Sequence, residues 1–287
     1  MGGGSWTKAA YVNYSTTMCR AVDLDGSIKG NYSAQEMFKS RCLDKALDPY
    51  NVIRECVDSE EHPNTIPVIL ALDVTGSMGQ SAVEIAKKLN VIMTKLYESV
   101  KDIEFMIMAI GDFSCDSYPL QVSQFESDIR IAEQLDKVYF EAGGGGNAYE
   151  SYTAAWLFGA RYTKLDCWKR GKKGLIITIG DELINPYLPG SSLNYVICEG
   201  HQANVETSDI YEEVKDKYEL YHLNCISTSS GRRGEVDNVK SFAKYIGKQN
   251  VMNVTVEEIT DKIVGIITDF SMNNSENVLS DSGAISW

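Results

Sequence analysis

The sequence predicts a doubly wound α/β fold with a mostly parallel central sheet flanked by helices. Three continuous apolar segments, residues 68–72, 105–110 and 175–179, have the length and composition of strands that are buried on both faces. Segments with apolar residues at helical spacing alternate with them. This alternation builds a parallel sheet through right-handed crossovers, and ligands of such sheets bind beyond the carboxyl ends of the strands.

Residues 1–65 are predicted to form an N-terminal extension that packs on the main domain, because their pattern is polar and irregular. Ser33 followed by Glu36 matches a capping box and predicts a short helix that reaches Cys42. The dipeptide Asp48-Pro49 ends any helix there, and residues 60–64 are predicted to be a loop.

The main domain is predicted to span residues 66–270, which is the size of one domain. Its predicted elements are, in order, a strand at 68–72, a helix at 81–99, strands at 105–110 and 120–125, a helix at 128–135, a glycine loop at 143–146, a helix at 149–162, a strand at 175–179, a helix at 208–218, and strands at 220–226 and 251–254. Thr255 is predicted to cap a last helix that ends at Phe270. Residues 271–287 are predicted to be a loose tail.

Charge and cysteine content argue against several classes of protein. The 287 residues carry a net charge of −13, the opposite of the cationic field that nucleic-acid binding needs. The seven cysteines include no Cys-x-x-Cys pair, which argues against a disulfide scaffold and a thiolate zinc site. No apolar segment has membrane-spanning length or the position of a signal peptide. We therefore expect a cytoplasmic protein that binds neither membranes nor nucleic acids.

One compact basic segment, residues 164–173, interrupts this acidic sequence. It lies between a predicted helix and a predicted strand, and we interpret it as a solvated connection. Its basic residues are Lys164, Lys169, Arg170, Lys172 and Lys173.

Three oxygen-bearing side chains follow the first buried strand at alternate positions. Asp73, Thr75 and Ser77 can converge on one point in a tight turn, and Gly76 lets the backbone fold closely. A carboxylate with two hydroxyl groups suits Mg²⁺, Mn²⁺ or Ca²⁺ better than zinc. Taken alone, the segment fits the N-terminus of a helix equally well.

Two further strands of the predicted sheet also end in an aspartate. Asp112 and Asp181 each follow a glycine directly after a buried segment. Because the carboxyl ends of parallel strands meet at one edge of the sheet, three such aspartates are harder to attribute to chance than one. For Asp112, three interpretations stay open: a supporting acid, a secondary ion site, or a solvated strand end, which is at least as well favoured.

The segment Asp73-Val74-Thr75-Gly76-Ser77 resembles the metal-ion-dependent adhesion site of the von Willebrand factor type A (vWA) family. The family signature is Asp-x-Ser-x-Ser, and Thr75 keeps the hydroxyl group of the middle serine. The resemblance covers roughly residues 66–270 and implies the doubly wound fold. The chain also looks similar to bacterial and phage proteins of this family.

The resemblance implies two further site loops. In residues 143–150 it implies Glu150 as a metal ligand and Asn147 as a supporting polar group, as in the branch that includes integrin β subunits. Tyr149 stands where that branch has a proline. In residues 179–182 it implies that Asp181 contacts the metal through a water molecule.

The function that this resemblance implies is a non-catalytic module. It would bind Mg²⁺, with Mn²⁺ or Ca²⁺ as alternatives, and use the cation to bind a partner protein whose acidic side chain completes the metal shell. Family members inside bacterial cells often act together with AAA+ ATPases of the MoxR type, so the resemblance also implies such an ATPase as a partner. The carboxylate of Glu150 neutralises the metal more than the threonine that many family members have in this loop. We therefore expect tighter metal binding, and weaker attraction for the partner's acidic side chain, than in those members.

Two other functions stay open. A magnesium-dependent, phosphatase-like hydrolase is compatible with a strand-ending aspartate and a metal, although Thr75 stands where the second acid of aspartyl phosphatases would be. Alternatively, the chain is a structural or assembly protein in which the metal only stabilises the loops. The glycine loop lacks the spacing of phosphate-binding motifs, which argues against nucleotide binding.

Overall fold

The computed structural model describes residues 4–143, 147–198, 200 and 203–276. Within them the α-helices are α1 (Lys8–Thr17), α2 (Ala34–Met37), α3 (Gly79–Lys87), α4 (Leu89–Ser99), α5 (Arg130–Leu135), α6 (Thr153–Tyr162), α7 (Gly190–Val196), α8 (Thr207–Val214), α9 (Ser229–Ile246) and α10 (Ile259–Glu276). The strands are β1 (Arg54–Cys56), β2 (Ile66–Asp73), β3 (Ile103–Ile110), β4 (Leu120–Val122), β5 (Tyr149–Glu150), β6 (Thr163–Leu165), β7 (Gly174–Gly180), β8 (Leu183–Ile184), β9 (Tyr187–Leu188), β10 (Val205–Glu206), β11 (Tyr218–Cys225) and β12 (Val251–Val254). Short 3₁₀ helices span Asp166–Arg170 and Lys248–Asn250.

The central sheet has six strands in the order β12-β11-β7-β2-β3-β4. All neighbours pair in parallel except β3 and β4, which are antiparallel at one edge. The predicted doubly wound, mostly parallel α/β fold is therefore confirmed. The chain leaves β2 towards β3 on one side and returns to the other side at β7, so the switch point lies between β2 and β7, where such sheets bind ligands.

Strand β2 explains why its sequence is continuously apolar. Val68, Leu70 and Leu72 pack into one core layer, and Ile69 and Ala71 pack into the layer on the opposite face. Successive side chains of a strand point to opposite faces, so a strand that is covered by helices on both sides needs apolar residues at every position. The strand thereby fixes the position of Asp73 at its carboxyl end.

The helix predicted at residues 81–99 is two helices, α3 and α4, which meet at Lys88. The backbone N–H of Ile28 donates a hydrogen bond of 3.1 Å to the carbonyl of Lys87, which a continuous helix would use internally. The Lys88 ammonium group donates to the carbonyl of Val256. Contacts with residues distant in sequence therefore end α3, and the local apolar spacing cannot show them.

The helix predicted at residues 149–162 begins only at Thr153. Tyr149 and Glu150 instead form β5, which pairs in parallel with β8. The prediction was wrong here because Asn185, distant in sequence, donates its N–H to the Glu150 carbonyl at 3.2 Å. The pairing matters for the site because it fixes Glu150 beside the turn that follows β7.

Other boundaries also differ from the prediction. Helix α2 has the predicted capping box at Ser33 and Glu36 but ends at Met37 instead of Cys42. Helices α7 and α9 were not predicted. Helix α9 carries few apolar residues, and its buried side includes Gly231 and Asn238, so its apolar periodicity is weak.

The C-terminal predictions are partly wrong and partly outside the described residues. Helix α8 ends at Val214, and the strand β11 already begins at Tyr218. Helix α10 continues to Glu276, so the first six residues of the predicted tail are helical. Residues 277–287 lie outside the described residues, as do residues 144–146 of the predicted glycine loop.

Residues 4–65 contact the rest of the chain through buried polar groups. The Trp6 indole N–H donates to Asn90 Oδ1 at 3.2 Å. The Arg20 guanidinium forms an ion pair of 2.6 Å with Asp136, and both side chains are buried. Strand β1 pairs in parallel with β6. Across the described ranges, we find no helix with both the length and the hydrophobicity needed to span a lipid bilayer.

His222 is buried in the centre of the fold and is expected to make the protein sensitive to acid. Its ring stacks on Phe242 with centroids 3.5 Å apart, and its Nε2 atom has no hydrogen-bond partner among the described residues. Burial lowers the pKa of His222 to about 3, whereas an unfolded histidine titrates near about 6.5. Between these values the unfolded state binds more protons, so the free energy of unfolding falls as the pH falls.

We expect the His222→Phe variant to lose about 2 kcal/mol less stability than the wild type between about pH 7.5 and pH 5. Phenylalanine keeps the ring contact and removes the titrating group. Urea-induced unfolding of both proteins at the two pH values measures the difference. Equal losses in the two proteins would show that protonation of this histidine does not limit acid stability.

Candidate metal centre at the carboxyl ends of β2 and β7

The turn after β2 brings the three oxygen-bearing side chains of the motif together. Asp73 is fully buried, and its Oδ1 accepts hydrogen bonds from the Thr75 N–H at 2.9 Å and the Thr75 hydroxyl at 2.7 Å. The hydroxyl oxygens of Thr75 and Ser77 lie 3.3 Å apart. The residues predicted from their alternate spacing therefore form one cluster of oxygens.

Asp181 joins this cluster from the end of β7. The Ser77 hydroxyl donates to Asp181 Oδ1 at 2.8 Å. The Asn238 amide donates to the Asp181 carbonyl at 2.8 Å and thereby connects this turn to α9. The second carboxylate oxygen of Asp181, Oδ2, is buried and has no partner at hydrogen-bond geometry among the described residues, although the Thr228 hydroxyl lies near enough to lower the pKa of this carboxyl group. Since buried carboxylate oxygens normally have partners, this atom is one that a cation would satisfy.

Glu150 faces the same cluster from β5. Its side chain is buried, and its Oε2 atom also has no hydrogen-bond partner in the described part of the chain. The charge with the largest effect on its pKa is that of Asp73, followed by those of Asp116 and Asp112. The structure thus joins four of the six predicted site residues by side-chain contacts, namely Asp73, Thr75, Ser77 and Asp181. Glu150 lies close enough for the charge of Asp73 to act on it.

The carboxyl groups of this cluster bind protons more tightly than isolated ones. Burial, followed by the charge of Asp73, raises the pKa of Glu150 to about 11. Burial and the neighbouring Asp181 raise the pKa of Asp73 to about 7. Burial also raises the pKa of Asp181, although the Thr228 and Ser77 hydroxyls oppose the shift. Protons therefore compete with a cation for these carboxyl groups, and cation binding would release them.

Tyr152 supports Asp73, although no motif in the sequence identifies it. Its hydroxyl donates to Asp73 Oδ2 at 2.8 Å, and the side chain is fully buried. Gly180 makes room for it, because a Cβ atom at Gly180 would lie 1.9 Å from the Tyr152 hydroxyl oxygen. The sequence contains a weak signal for this contact: Gly180 ends a strand whose preceding residues are mostly large and apolar, and a glycine in such a place often marks a close approach of another group.

Gly76 lets the loop after β2 approach the segment before β5. Its N–H donates to the Gly143 carbonyl at 3.1 Å, and a Cβ atom at this position would lie 2.9 Å from that oxygen. The predicted role of Gly76 in close backbone approach thus has a specific contact. It fixes the distance between the Asp73 turn and one end of the loop that leads to Glu150.

Asn147 lies beside Asp112 and is exposed. Its amide donates to Asp112 Oδ2 at 2.6 Å, and its own Oδ1 accepts from the Tyr149 N–H at 2.9 Å. Asp112 is buried, and its N–H donates to Asp116 Oδ2 at 2.7 Å. Asn147 therefore connects the loop before β5 to the loop after β3, and among the described residues its hydrogen bonds do not reach the Asp73 cluster.

The cluster fits a hard divalent cation by its chemistry. In the parts of the chain that the structure describes, no three His, Cys, Asp or Glu side chains already form a metal-binding group. The candidate centre combines the Thr75 and Ser77 hydroxyl oxygens with the Asp73 and Asp181 carboxylates. Among the described residues, two buried carboxylate oxygens, Glu150 Oε2 and Asp181 Oδ2, lack hydrogen-bond partners. Oxygen donors of this kind suit Mg²⁺, Mn²⁺ or Ca²⁺.

Comparison with known proteins found neither a matching family model nor a matching curated protein. It did find solved structures. The pilus adhesin SpaC from Lactobacillus rhamnosus GG, in its open conformation, aligns with a TM-score of 0.50 and 12% identity over 78% of this chain and 31% of that chain. The vWF domain of the type V pili tip protein Mfa5 from Porphyromonas gingivalis aligns with a TM-score of 0.47 and 11% identity over 73% of this chain and 96% of that chain.

The present chain thus spans only 31% of the length of the SpaC chain that it matches. At this identity the likeness concerns the fold alone. It agrees with the doubly wound α/β fold that the sequence predicts.

Proposed function

We propose that this protein is a non-catalytic interaction module that binds one divalent cation and uses it to bind a partner protein. The observation that carries the proposal is a pair of buried carboxylate oxygens, on Glu150 and Asp181, that have no hydrogen-bond partner in the described part of the chain. Asp181 contacts the Asp73 turn through Ser77. Mg²⁺ is the expected cation, with Mn²⁺ or Ca²⁺ as alternatives. The ligands would be Asp73, Thr75, Ser77, Glu150 and Asp181.

The residues around the cation would each have a distinct role. Asp73 is held by Thr75 and Tyr152, so it presents a fixed carboxylate. Asn147 would act indirectly, by orienting Asp112. Mg²⁺ normally retains water in its shell of six oxygens, so a partner's acidic side chain could replace one water molecule. The bound cation would supply the positive charge that attracts this acid.

Exposed aromatic residues directly before Glu150 and beside the loop after β3 support protein binding. Tyr149, directly before Glu150, is 42% exposed, and Tyr195 is 78% exposed. Tyr195 lines a cavity of about 440 Å³ together with Tyr50 and Tyr118. A neighbouring cavity shares Tyr195 and reaches Asp116 in the loop after β3. Exposed aromatic groups beside a polar centre are typical of protein interfaces.

The name of the SpaC structure agrees with an interaction module, since SpaC is named a pilus adhesin. Whether the present chain works in the cytoplasm, and whether an AAA+ ATPase of the MoxR type is its partner, stay predictions from the sequence. The same holds for the absence of catalysis.

Isothermal titration of Mg²⁺, Mn²⁺ and Ca²⁺ into chelator-treated protein tests the metal site directly. We expect one cation per chain, and at least about a hundredfold weaker binding in the Asp73→Asn variant, because a buried ligand charge is lost. Asparagine keeps the acceptor for Thr75, so the turn can persist. The matched control is Asp237→Asn, which removes a charge from the exposed face of α9. Equal affinities in all three proteins would contradict the site.

Partner capture with and without chelator tests the use of the cation. Binding that needs the metal and disappears in Asp73→Asn supports the module, whereas chelator-insensitive binding argues against it. Metal-dependent turnover of a phosphate ester that disappears in the same variant would replace this proposal with a hydrolase. Self-association that is unchanged in the variant would point to an assembly protein.

A further inference from the structure

A cavity of about 460 Å³ lies at the edge of the sheet opposite the candidate metal centre. Ile66, the first residue of β2, lines it, as do Asp102 directly before β3 and Lys173 directly before β7. Its volume falls within the roughly 300–1,000 Å³ that is typical of small-molecule sites. The cavity and the metal centre are therefore at opposite ends of the same strands.

Four cationic side chains line this cavity, and three of them come from the basic segment 164–173. They are Lys101, Arg170, Lys172 and Lys173. The one acidic side chain among its described lining residues is Asp102. The interpretation of the whole segment as a solvated connection was therefore incomplete, because folding gathers part of it with Lys101 around a concave surface.

Most of this positive charge is not neutralised by carboxylates. Arg170 forms an ion pair with Asp58. Among the described residues, Lys173 donates to a backbone carbonyl, that of Lys215, at 2.6 Å, and forms no ion pair. For Lys101 and Lys172, the described residues provide neither an ion pair nor a hydrogen bond. In a chain with a net charge of −13, a cavity with uncommitted ammonium groups is a local exception.

We propose that this cavity binds a small molecule with several negative charges, of the di- or triphosphate class. Ammonium groups form short, strong hydrogen bonds with phosphate oxygens, and Asn64 adds an amide donor at the rim. The cations come from two separate places in the chain, Lys101 and the segment 170–173, so an anion with charges on more than one group can contact several of them at once. Burial of part of the lining reduces the screening of these charges by water.

A purely structural role for the same lysines makes a different prediction. Helix α4 ends at Ser99, and Ser271 in the last turns of α10 also lines the cavity. Cations near the C-terminus of a helix stabilise its dipole. In that role the lysines would need no ligand, and their removal would lower stability without abolishing any binding.

Isothermal titration of inorganic pyrophosphate in buffer free of divalent cations separates the two roles. We expect saturable binding of one pyrophosphate per chain, and at least about tenfold weaker binding in the double variant Lys101→Ala/Lys172→Ala. The matched control is Lys164→Ala/Lys169→Ala, which removes the same charge from the same segment outside the cavity lining. The control should bind as the wild type does.

The variant Lys101→Arg/Lys172→Arg keeps both positive charges, so it should retain pyrophosphate binding. Retained binding would show that the loss in the alanine variant comes from the missing charges and not from misfolding. Titrations with phosphate and triphosphate then show whether affinity rises with the number of charged groups, as proposed. The absence of saturable pyrophosphate binding, or equal losses in the two alanine variants, would overturn the proposal. Because divalent cations are absent, the result does not depend on the candidate metal centre.

Discussion

The Gly180→Ala variant is expected to lose about 3 kcal/mol of unfolding free energy, because the added methyl group has no space. Its Cβ atom would lie 1.9 Å from the Tyr152 hydroxyl oxygen and 2.5 Å from the ring carbon that carries it. Tyr152 is fully buried and cannot swing away without breaking its hydrogen bond to Asp73. Urea-induced unfolding in chelator measures the loss.

The matched control for this substitution is Gly265→Ala in α10. A Cβ atom at Gly265 would have no neighbouring atom within 4 Å, so the same methyl group enters open space there. Alanine is the better helix former, and we expect this variant to gain up to about 1 kcal/mol. A Gly180→Ala protein as stable as the wild type would mean that Tyr152 does not occupy the position that supports Asp73.

The second large effect is expected for the Glu150→Gln variant. This substitution should raise the stability of the metal-free protein and weaken the binding of the cation. Burial and the charge of Asp73 raise the pKa of Glu150 to about 11, whereas an unfolded glutamate titrates near about 4.3. The folded state therefore binds more protons than the unfolded state in this window, and the metal-free protein loses stability as the pH rises through it. The Glu150→Gln variant removes this cost.

We expect metal-free Glu150→Gln to be more stable than the metal-free wild type by on the order of 3 kcal/mol near pH 7.5, with a smaller gain at lower pH. The same variant should bind the cation more weakly, because it lacks a carboxylate ligand. Unfolding in chelator at several pH values, followed by metal titration, measures both effects. Glu219→Gln, on the exposed part of β11, is the control and should change neither. A destabilised, metal-free Glu150→Gln protein would contradict the raised pKa.

The sequence was sufficient to predict the parts of the fold that depend on local patterns. Strands β2, β3 and β7 are buried on both faces, so each has a continuous apolar segment that identifies it as a strand in the sequence. Helix α9 could not be predicted in this way, because it packs a glycine and an asparagine against the sheet. The division between α3 and α4 depends on a hydrogen bond from Ile28, about sixty residues earlier in the chain.

The candidate site was predictable to a similar degree. The spacing of Asp73, Thr75 and Ser77 needs only one turn, so the sequence contains it completely. The contact between Ser77 and Asp181 joins residues 104 positions apart and follows only from the strand order. Tyr152 could not be assigned, since its role arises from the space that Gly180 leaves across the sheet.

Thermal unfolding in chelator and with added Mg²⁺, Mn²⁺ or Ca²⁺, for the wild type and Asp73→Asn, tests the central claim most directly. A cation that binds only the folded state should add about 2.7 kcal/mol of stability at a hundredfold excess over its dissociation constant. We predict a metal-dependent rise of the melting temperature in the wild type and none in the variant. No rise with any of the three cations, or the same rise in both proteins, would contradict a metal centre at the ends of β2 and β7.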